Sequence, residues 1–307
     1  MTKQRIPCKT VSAALLAALG LLGLSGCAGI TKATSTTTPA ASSGSVAAFL
    51  TDAPADGVAA FSIQLTGATL VGTNGVSTSI STGVQQIEIR HLVLASTVAL
   101  QNGGAPSGNY TALNLSFANP QMTLVDASGN VTLLNATTTP SVKLASVTVN
   151  APISMSLAAN GAAGLVMDFD LRQSISTDGN GNYVVTPVVN VSNVTDSPTE
   201  PNLQNAEGTV VSVPSSNSVN LLLIDTGQVV RLTTNPSTLF SADAGASANV
   251  TSGQYIDVDA SFQTDGSFLA SRVNTVSSNP ALCFGGVVTG VTTDGLGNTT
   301  LGLVVQE

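Results

Sequence analysis

The chain has 307 residues, of which 43% are hydrophobic and only 8% are charged, and its formal net charge is −8. Disordered chains show the opposite combination, so most of this chain should fold, and its length leaves room for two domains. The acidic balance argues against nucleic-acid binding, which needs a basic surface to neutralise phosphates.

Residues 1–26 follow the order of a secretory signal peptide, with basic residues first, an apolar run over residues 11–24, and then small residues. The letters LSGC at residues 24–27 resemble the lipobox of bacterial lipoproteins, which implies cleavage before Cys27 and a lipid on its sulfur. A transmembrane anchor is the alternative, but the apolar run falls short of the roughly 20 residues that span a bilayer. The leader holds three of the nine basic residues and no acidic one, so the remainder carries six basic against 17 acidic residues, a net charge of −11.

Residues 27–44 are mostly Ala, Ser, Thr and Pro and predict a flexible tether, because they cannot bury enough apolar surface to offset ordering. From residue 45 to residue 195, short segments alternate apolar and polar residues and are separated by turn sequences rich in Gly and Asn. Val, Ile and Thr dominate these segments, which predicts an antiparallel β-sandwich or barrel. Only residues 90–101 leave room for a helical turn or two.

A polar, double-proline stretch at residues 196–205 predicts a linker. Residues 206–279 then contain five or so further strand segments, consistent with a small OB-like β-barrel. The letters GVVTGV at residues 286–291 echo GTVVSV at residues 208–213, an offset of 78. Two interpretations of residues 280–307 stay open: the start of a second copy of the barrel, or a hairpin that completes the first.

Three motifs in residues 45–192 carry a family resemblance: LTDAP at 50–54, PSGNY at 106–110 and MDFDLR at 167–172. Their order and spacing resemble the bacterial lipoprotein domain called domain of unknown function 4382. The resemblance implies a secreted or lipid-anchored β-sandwich of immunoglobulin or transthyretin type. Residues 206–276 resemble domain of unknown function 5666, through EGTV at 207–210, SGQY at 252–255, DG at 265–266 and ASRV at 270–273. Neither family implies an activity or supplies catalytic residues.

The candidate chemical groups are the carboxylates of the first and third of the motifs in residues 45–192. Asp52 is followed by Ala53 and Pro54, which cannot continue a central strand, so an Asx turn is the favoured interpretation over a ligand or metal carboxylate. Asp168 and Asp170 alternate with apolar residues and should share one strand face, a spacing compatible with Ca²⁺ or with acid–base chemistry. Neutralisation of the pair by Arg172 on the same face is the favoured interpretation.

The remaining chemistry-bearing residues favour structural roles. The loops at residues 126–130, 178–182 and 294–298 contain Asp, Gly and Asn and predict hairpin turns rather than calcium loops. The single histidine, His91, has no Gly-x-Ser-x-Gly motif to accompany it in a hydrolase triad. Cys283 is expected to be a small buried residue, and no Cys–His metal spacing exists.

Together these features predict a lipid-anchored protein of the bacterial cell envelope, in the outer membrane if the cell has one. We expect a non-catalytic binding or structural module that needs no cofactor and has an envelope protein or glycan as partner. The alternative is an envelope enzyme, or a calcium-dependent glycan- or peptide-binding protein, that uses Asp52, Asp168 and Asp170. That alternative requires the three carboxylates to lie in one cleft.

Overall fold

The computed structural model describes residues 42–53, 55–81, 83–93, 95–194, 201–242, 249–276, 286–293, 295 and 299–305. The predicted signal peptide, Cys27, most of the predicted tether and Cys283 lie outside these residues. Strands dominate the described part, which confirms the all-β prediction. A 3-10 turn at Arg90–Val93 and the four-residue helix α1 at Leu171–Ser174 are the helical elements there. None of the described helices has the length and apolar character needed to span a membrane.

Among the described residues, thirteen strands precede the predicted linker. They are β1 (Ser43–Ala53), β2 (Val58–Gly72), β3 (Ser77–Ser79), β4 (Gln85–Glu88), β5 (Thr97–Pro106), β6 (Gly108–Val125), β7 (Val131–Leu134), β8 (Val142–Leu144), β9 (Thr148–Leu157), β10 (Ala162–Asp170), β11 (Ile175–Thr177), β12 (Tyr183–Val185) and β13 (Val189–Asn193).

Eight further strands come after β13 in the described part of the chain. They are β14 (Leu203–Ser215), β15 (Ser218–Leu223), β16 (Val229–Thr233), β17 (Leu239–Ala242), β18 (Tyr255–Phe262), β19 (Phe268–Thr275), β20 (Gly286–Thr293) and β21 (Thr299–Val305).

The first thirteen strands form a sandwich. A sheet in the order β13-β10-β1-β5 packs against a second sheet in the order β3-β2-β6-β7, in which β4 also pairs with β2 and β9 with β6. A small sheet in the order β11-β12-β8 adjoins them. Alternate residues of facing strands fill the core, where the Phe169 ring contacts those of Phe61 and Phe117. Most pairs are antiparallel, as predicted, but β1 and β10 run parallel, and so do β8 and β12.

The C-terminal strands form a closed barrel. Strands β16-β15-β14-β18-β19 pair in that order, and β16 pairs again with β19, which closes the sheet on itself. This confirms the prediction of a small OB-like barrel after the sandwich. Two boundaries differ from the sequence-based expectations. Strand β1 begins at Ser43, inside the predicted tether, and β14 begins at Leu203, inside the predicted linker.

The sandwich and the barrel share apolar core, whereas the sequence predicts two independent units. Ala47, Phe49 and Val98 of the sandwich belong to the same buried cluster as the barrel interior. The Phe49 ring lies 5.7 Å from each of the rings of Phe262 and Phe268, in edge-to-face geometry. Strand β1 is therefore buried on both faces, which explains why residues 46–50 are continuously apolar rather than alternating.

Hydrogen bonds also join the sandwich to the barrel. The Ser96 hydroxyl donates to the Asn202 carbonyl at 3.0 Å and accepts from the Gln204 amide at 2.8 Å. The Thr226 hydroxyl donates to the Val98 carbonyl at 2.9 Å. These bonds fix the start of β14 and the β15–β16 turn onto the sandwich.

Candidate functional site

Asp52 lies near the end of β1 and is 9% exposed. Side chains alternate along a strand, so Asp52 is on the same face as Leu50, toward the core of the sandwich. Neither of its carboxylate oxygens accepts a hydrogen bond from the described residues. The favoured Asx-turn interpretation is therefore wrong, because β1 continues through Ala53 and the carboxylate holds no turn amide.

Burial dominates the electrostatics of Asp52. Removal from water raises the pKa of its carboxyl from 3.8 to about 7, although the Arg90 guanidinium pulls it down. The charges of Asp168 and Glu88 push the pKa up further, and the Leu171 amide lowers it weakly without reaching hydrogen-bond geometry. A carboxyl group buried without partners destabilises the folded state when it ionises.

Glu88 and Arg90 adjoin Asp52 and were not singled out from the sequence. The Glu88 carboxylate accepts the backbone amides of Phe61, at 2.7 Å, and of His91, so it caps the 3-10 turn. Burial raises the pKa of Glu88, while these amides oppose the rise. Arg90 donates from Nε to the Val58 carbonyl at 3.2 Å. The sequence does contain a signal for these two residues, because Glu88 and Arg90 alternate with Ile87 and Ile89, which are buried.

Asp168 is on the opposite face of the same sheet. In the strand register it lies beside Thr51 of β1 and Asn190 of β13, while its neighbours Met167 and Phe169 are buried in the sandwich core. Burial raises the pKa of Asp168, the Asn190 and Thr51 side chains lower it, and the charge of Asp170 raises it. The predicted alternation along this segment is confirmed.

Asp170 is the N-cap of α1. Its carboxylate accepts the Gln173 amide at 2.9 Å and also the Gln173 side chain, which satisfies the first turn of the helix. Arg172 does not neutralise the pair as predicted. It is exposed on α1, and both ion pairs found among the described residues belong to Arg272, with Asp257 and Asp259.

The three candidate carboxylates therefore do not converge in one cleft. Asp52 points toward the core, Asp168 lies on the other face, and Asp170 is committed to a helix cap. Calcium requires six to eight oxygen ligands around one point. No group of three or more His, Cys, Asp or Glu side chains suited to a metal occurs in the described part of the chain. The residues at Asp52, Asp168 and Asp170 do not fit a Ca²⁺ site.

The turn predictions are confirmed where the structure describes them. Asp178 accepts the amides of Asn180 and Asn182 at 2.8 and 2.9 Å, and Asp126 accepts those of Ser128 and Asn130 at the same distances. The Asn130 and Asn182 side chains, which also donate to Asp126 and Asp178, together with these amides hold the pKa of both carboxyls below the usual value. Most of the third loop, residues 294–298, lies outside the described residues.

A cleft of about 550 Å³ lies at the end of the sandwich between α1 and the β6–β7 hairpin. Its volume is in the range of small-ligand sites. Aliphatic side chains, the exposed Arg172, the half-buried Tyr183 and the carboxylates of Asp56 and Asp126 line it. The aliphatic residues include Val58, Leu124 and Ile175.

Comparison with family models gives two matches. A domain of unknown function (DUF4382) matches residues 43–187, and a domain of unknown function (DUF5666) matches residues 207–274. Comparison with curated proteins and with solved structures gives no match. These matches fall on the sandwich and on the barrel, and they are to the two families that the motifs of the chain resemble.

Proposed function

We propose that this protein is a lipid-anchored, non-catalytic binding module of the bacterial cell envelope. The signal layout and the LSGC sequence at residues 24–27 support the anchoring, with Cys27 as the lipidated residue. The dispersal of Asp52, Asp168 and Asp170 over two sheet faces and a helix cap supports the non-catalytic role. The cleft beside α1 is the proposed binding site.

One observation carries the choice of this cleft. Arg172 and Tyr183 both line the cleft, and their side chains form no hydrogen bond or ion pair with the described residues. The other described arginines are all engaged, Arg90 with Val58, Arg231 with Ser218 and Arg272 with two aspartates. The other tyrosines are also engaged, since Tyr110 donates to the Pro106 carbonyl and Tyr255 to Glu207.

The lining of the cleft favours one chemical class of ligand. An unpaired guanidinium binds a carboxylate with two parallel hydrogen bonds, and a phenol ring offers an apolar face with a polar tip. The acidic groups of Asp56 and Asp126 disfavour a simple anion and favour a ligand that also brings hydroxyl or amide donors. A carboxylate-bearing glycan of the cell envelope has all of these groups.

The test is calorimetric titration of the purified, full-length protein in detergent with a soluble, carboxylate-bearing disaccharide–peptide from the bacterial cell wall. Arg172→Ala should weaken binding by about 10- to 100-fold, the loss of one charged hydrogen-bonded pair. Arg231→Ala is the matched control, because it removes the same charge from the barrel and should leave binding unchanged. Absence of binding to the wild type, or equal loss in both variants, would contradict the site. Conversion of the probe to products would favour the enzyme alternative.

A further inference from the structure

Strands β20 and β21 form a hairpin that stands apart from the barrel. Among the described residues they pair only with each other, from Gly286 opposite Val305 to Thr293 opposite Thr299. The preceding barrel is already closed by the pairing of β16 with β19. The hairpin therefore does not complete that barrel, which removes one of the two interpretations of residues 280–307.

The hairpin repeats an irregularity of the β14–β15 hairpin. In β14–β15, Val210 pairs with Leu221 and Ser212 pairs with Asn220, so Val211 is an extra residue in the first strand. In β20–β21, Val288 pairs with Leu303 and Gly290 with Gly302, so the extra residue is Thr289. The two bulges are separated by the same offset of 78 as the sequence echo.

A bulge at one fixed position is a feature of the fold rather than of composition, because it sets where a strand bends and which side chains face inward. Coincidence of the bulge and of the sequence echo therefore points to one structural unit that occurs twice. Val210 in the first copy is 1% exposed inside the barrel, whereas its counterpart Val288 is 52% exposed. The second hairpin has the inward-facing position, and among the described residues no further strand pairs with the hairpin to cover it.

The first copy shows which strand belongs on the edge of β20 that faces away from β21. In the structure the Thr289 carbonyl of β20 lies against Gly129 of the β6–β7 turn. Strand β18 runs antiparallel to β14, with Gly208 opposite Ile256 and Thr209 opposite Tyr255. The inward residues of β18 alternate as Ile256, Val258 and Ala260, all fully buried.

We infer that residues 286–305 are the first hairpin of a second barrel of the DUF5666 type. The outer edge of β20 is accordingly an interface for an antiparallel β-strand with the alternating apolar pattern of β18. This inference does not depend on the anchoring or on the cleft.

The test adds the strands that would follow such a hairpin in a barrel of this type. A second copy of residues 224–276 is joined after Val305 in the full chain, and amide hydrogen exchange is compared with that of the chain without it. The β20 amides that face away from β21 should exchange at least about tenfold more slowly, as strand amides in a folded core do. The same extension on a chain lacking Thr289 is the control, because deletion of the bulge residue shifts one part of the strand to the wrong face.

Two results would overturn the inference. One is exchange of the β20 amides at the same rate with and without the added strands. The other is equal protection of the β20 amides in the extended chains with and without Thr289. The added strands would then pair with β20 whether or not the bulge is present, and the shared bulge would not indicate a second barrel.

Discussion

Asp52 is the residue whose environment departs furthest from that of an ordinary surface carboxylate. It is on the core face of β1, without hydrogen-bond partners, and its pKa of about 7 follows from burial. Between about pH 4 and pH 7 the folded protein then holds a proton at Asp52 that the unfolded chain has released. Stability should therefore fall as the pH rises through this window. Glu88 and Asp168 contribute with the same sign, because their pKa values are also raised.

Asp52→Asn should flatten this pH dependence. The variant cannot ionise, so its free energy of unfolding at about pH 8 should exceed that of the wild type by about 1–3 kcal/mol, while the two should converge near pH 4. Urea unfolding across this pH range measures the difference.

Asp126→Asn is the control for that prediction. The pKa of Asp126 is lowered by its own turn, so the variant should lose stability at neutral pH and keep the wild-type slope between about pH 5 and pH 7. If the free energy of unfolding of Asp52→Asn changed with pH as steeply as that of the wild type, Asp52 would not titrate between about pH 4 and pH 7.

Asp170 and Asp168 form a matched pair with different roles. Asp170→Ala removes the cap of α1 and should cost about 1 kcal/mol of unfolding free energy. Asp168→Ala should cost less, because burial already disfavours its charge. The midpoint of thermal unfolding of either variant should not change when Ca²⁺ or a chelator is added. Equal losses in the two variants, or a calcium-dependent midpoint that both abolish, would contradict these assignments.

At the scale of elements, β1 organises the molecule. It pairs with β10 and β5 in the sandwich, and its outer face covers the end of the barrel where β18 leads to β19. The sheet carries an apolar core on each side, so the two domains are joined by packing as well as by the chain.

Phe49→Ala should uncouple the barrel from the sandwich. Loss of a buried phenylalanine costs about 3–5 kcal/mol, and this one lies between the two domains. Limited proteolysis of the wild type should leave one resistant fragment across residue 200, whereas the variant should also release a separate barrel fragment. Phe61→Ala, inside the sandwich, is the control and should lower stability without releasing the barrel. Two fragments from the wild type would show that the shared core does not hold the domains together.

The alternation of apolar and polar residues predicts most of these strands, because each strand has one face on a core and the other face in water. It fails to reveal the junction because a strand with two cores has no alternation, although the unbroken run at residues 46–50 was the available signal. Strand register is set by contacts distant in sequence, so the separation of Asp52 from Asp168 could not be predicted. The role of Asp170 as a helix cap cannot be predicted for a related reason. Strand β10 ends at Asp170 and α1 begins after it, and the alternation of apolar and polar residues does not show this change.

For the whole molecule, the proposed arrangement is a lipid on Cys27, a flexible tether and a folded unit that contains the cleft. Outside residues 1–26 the chain has six basic and 17 acidic residues, so attraction to anionic lipid is not expected. Membrane attachment then depends on acyl chains, and two or more of them hold a protein firmly.

The most direct test of this account is labelling of cells with a fatty acid, in strains that express the wild type or Cys27→Ser. The wild type should incorporate the label and partition into detergent. The variant should do neither, because it lacks the sulfur that carries the lipid, while Cys8→Ser should behave as the wild type. Equal incorporation of label into the wild type and Cys27→Ser would contradict the lipid anchor and, with it, the proposed place of the protein in the envelope.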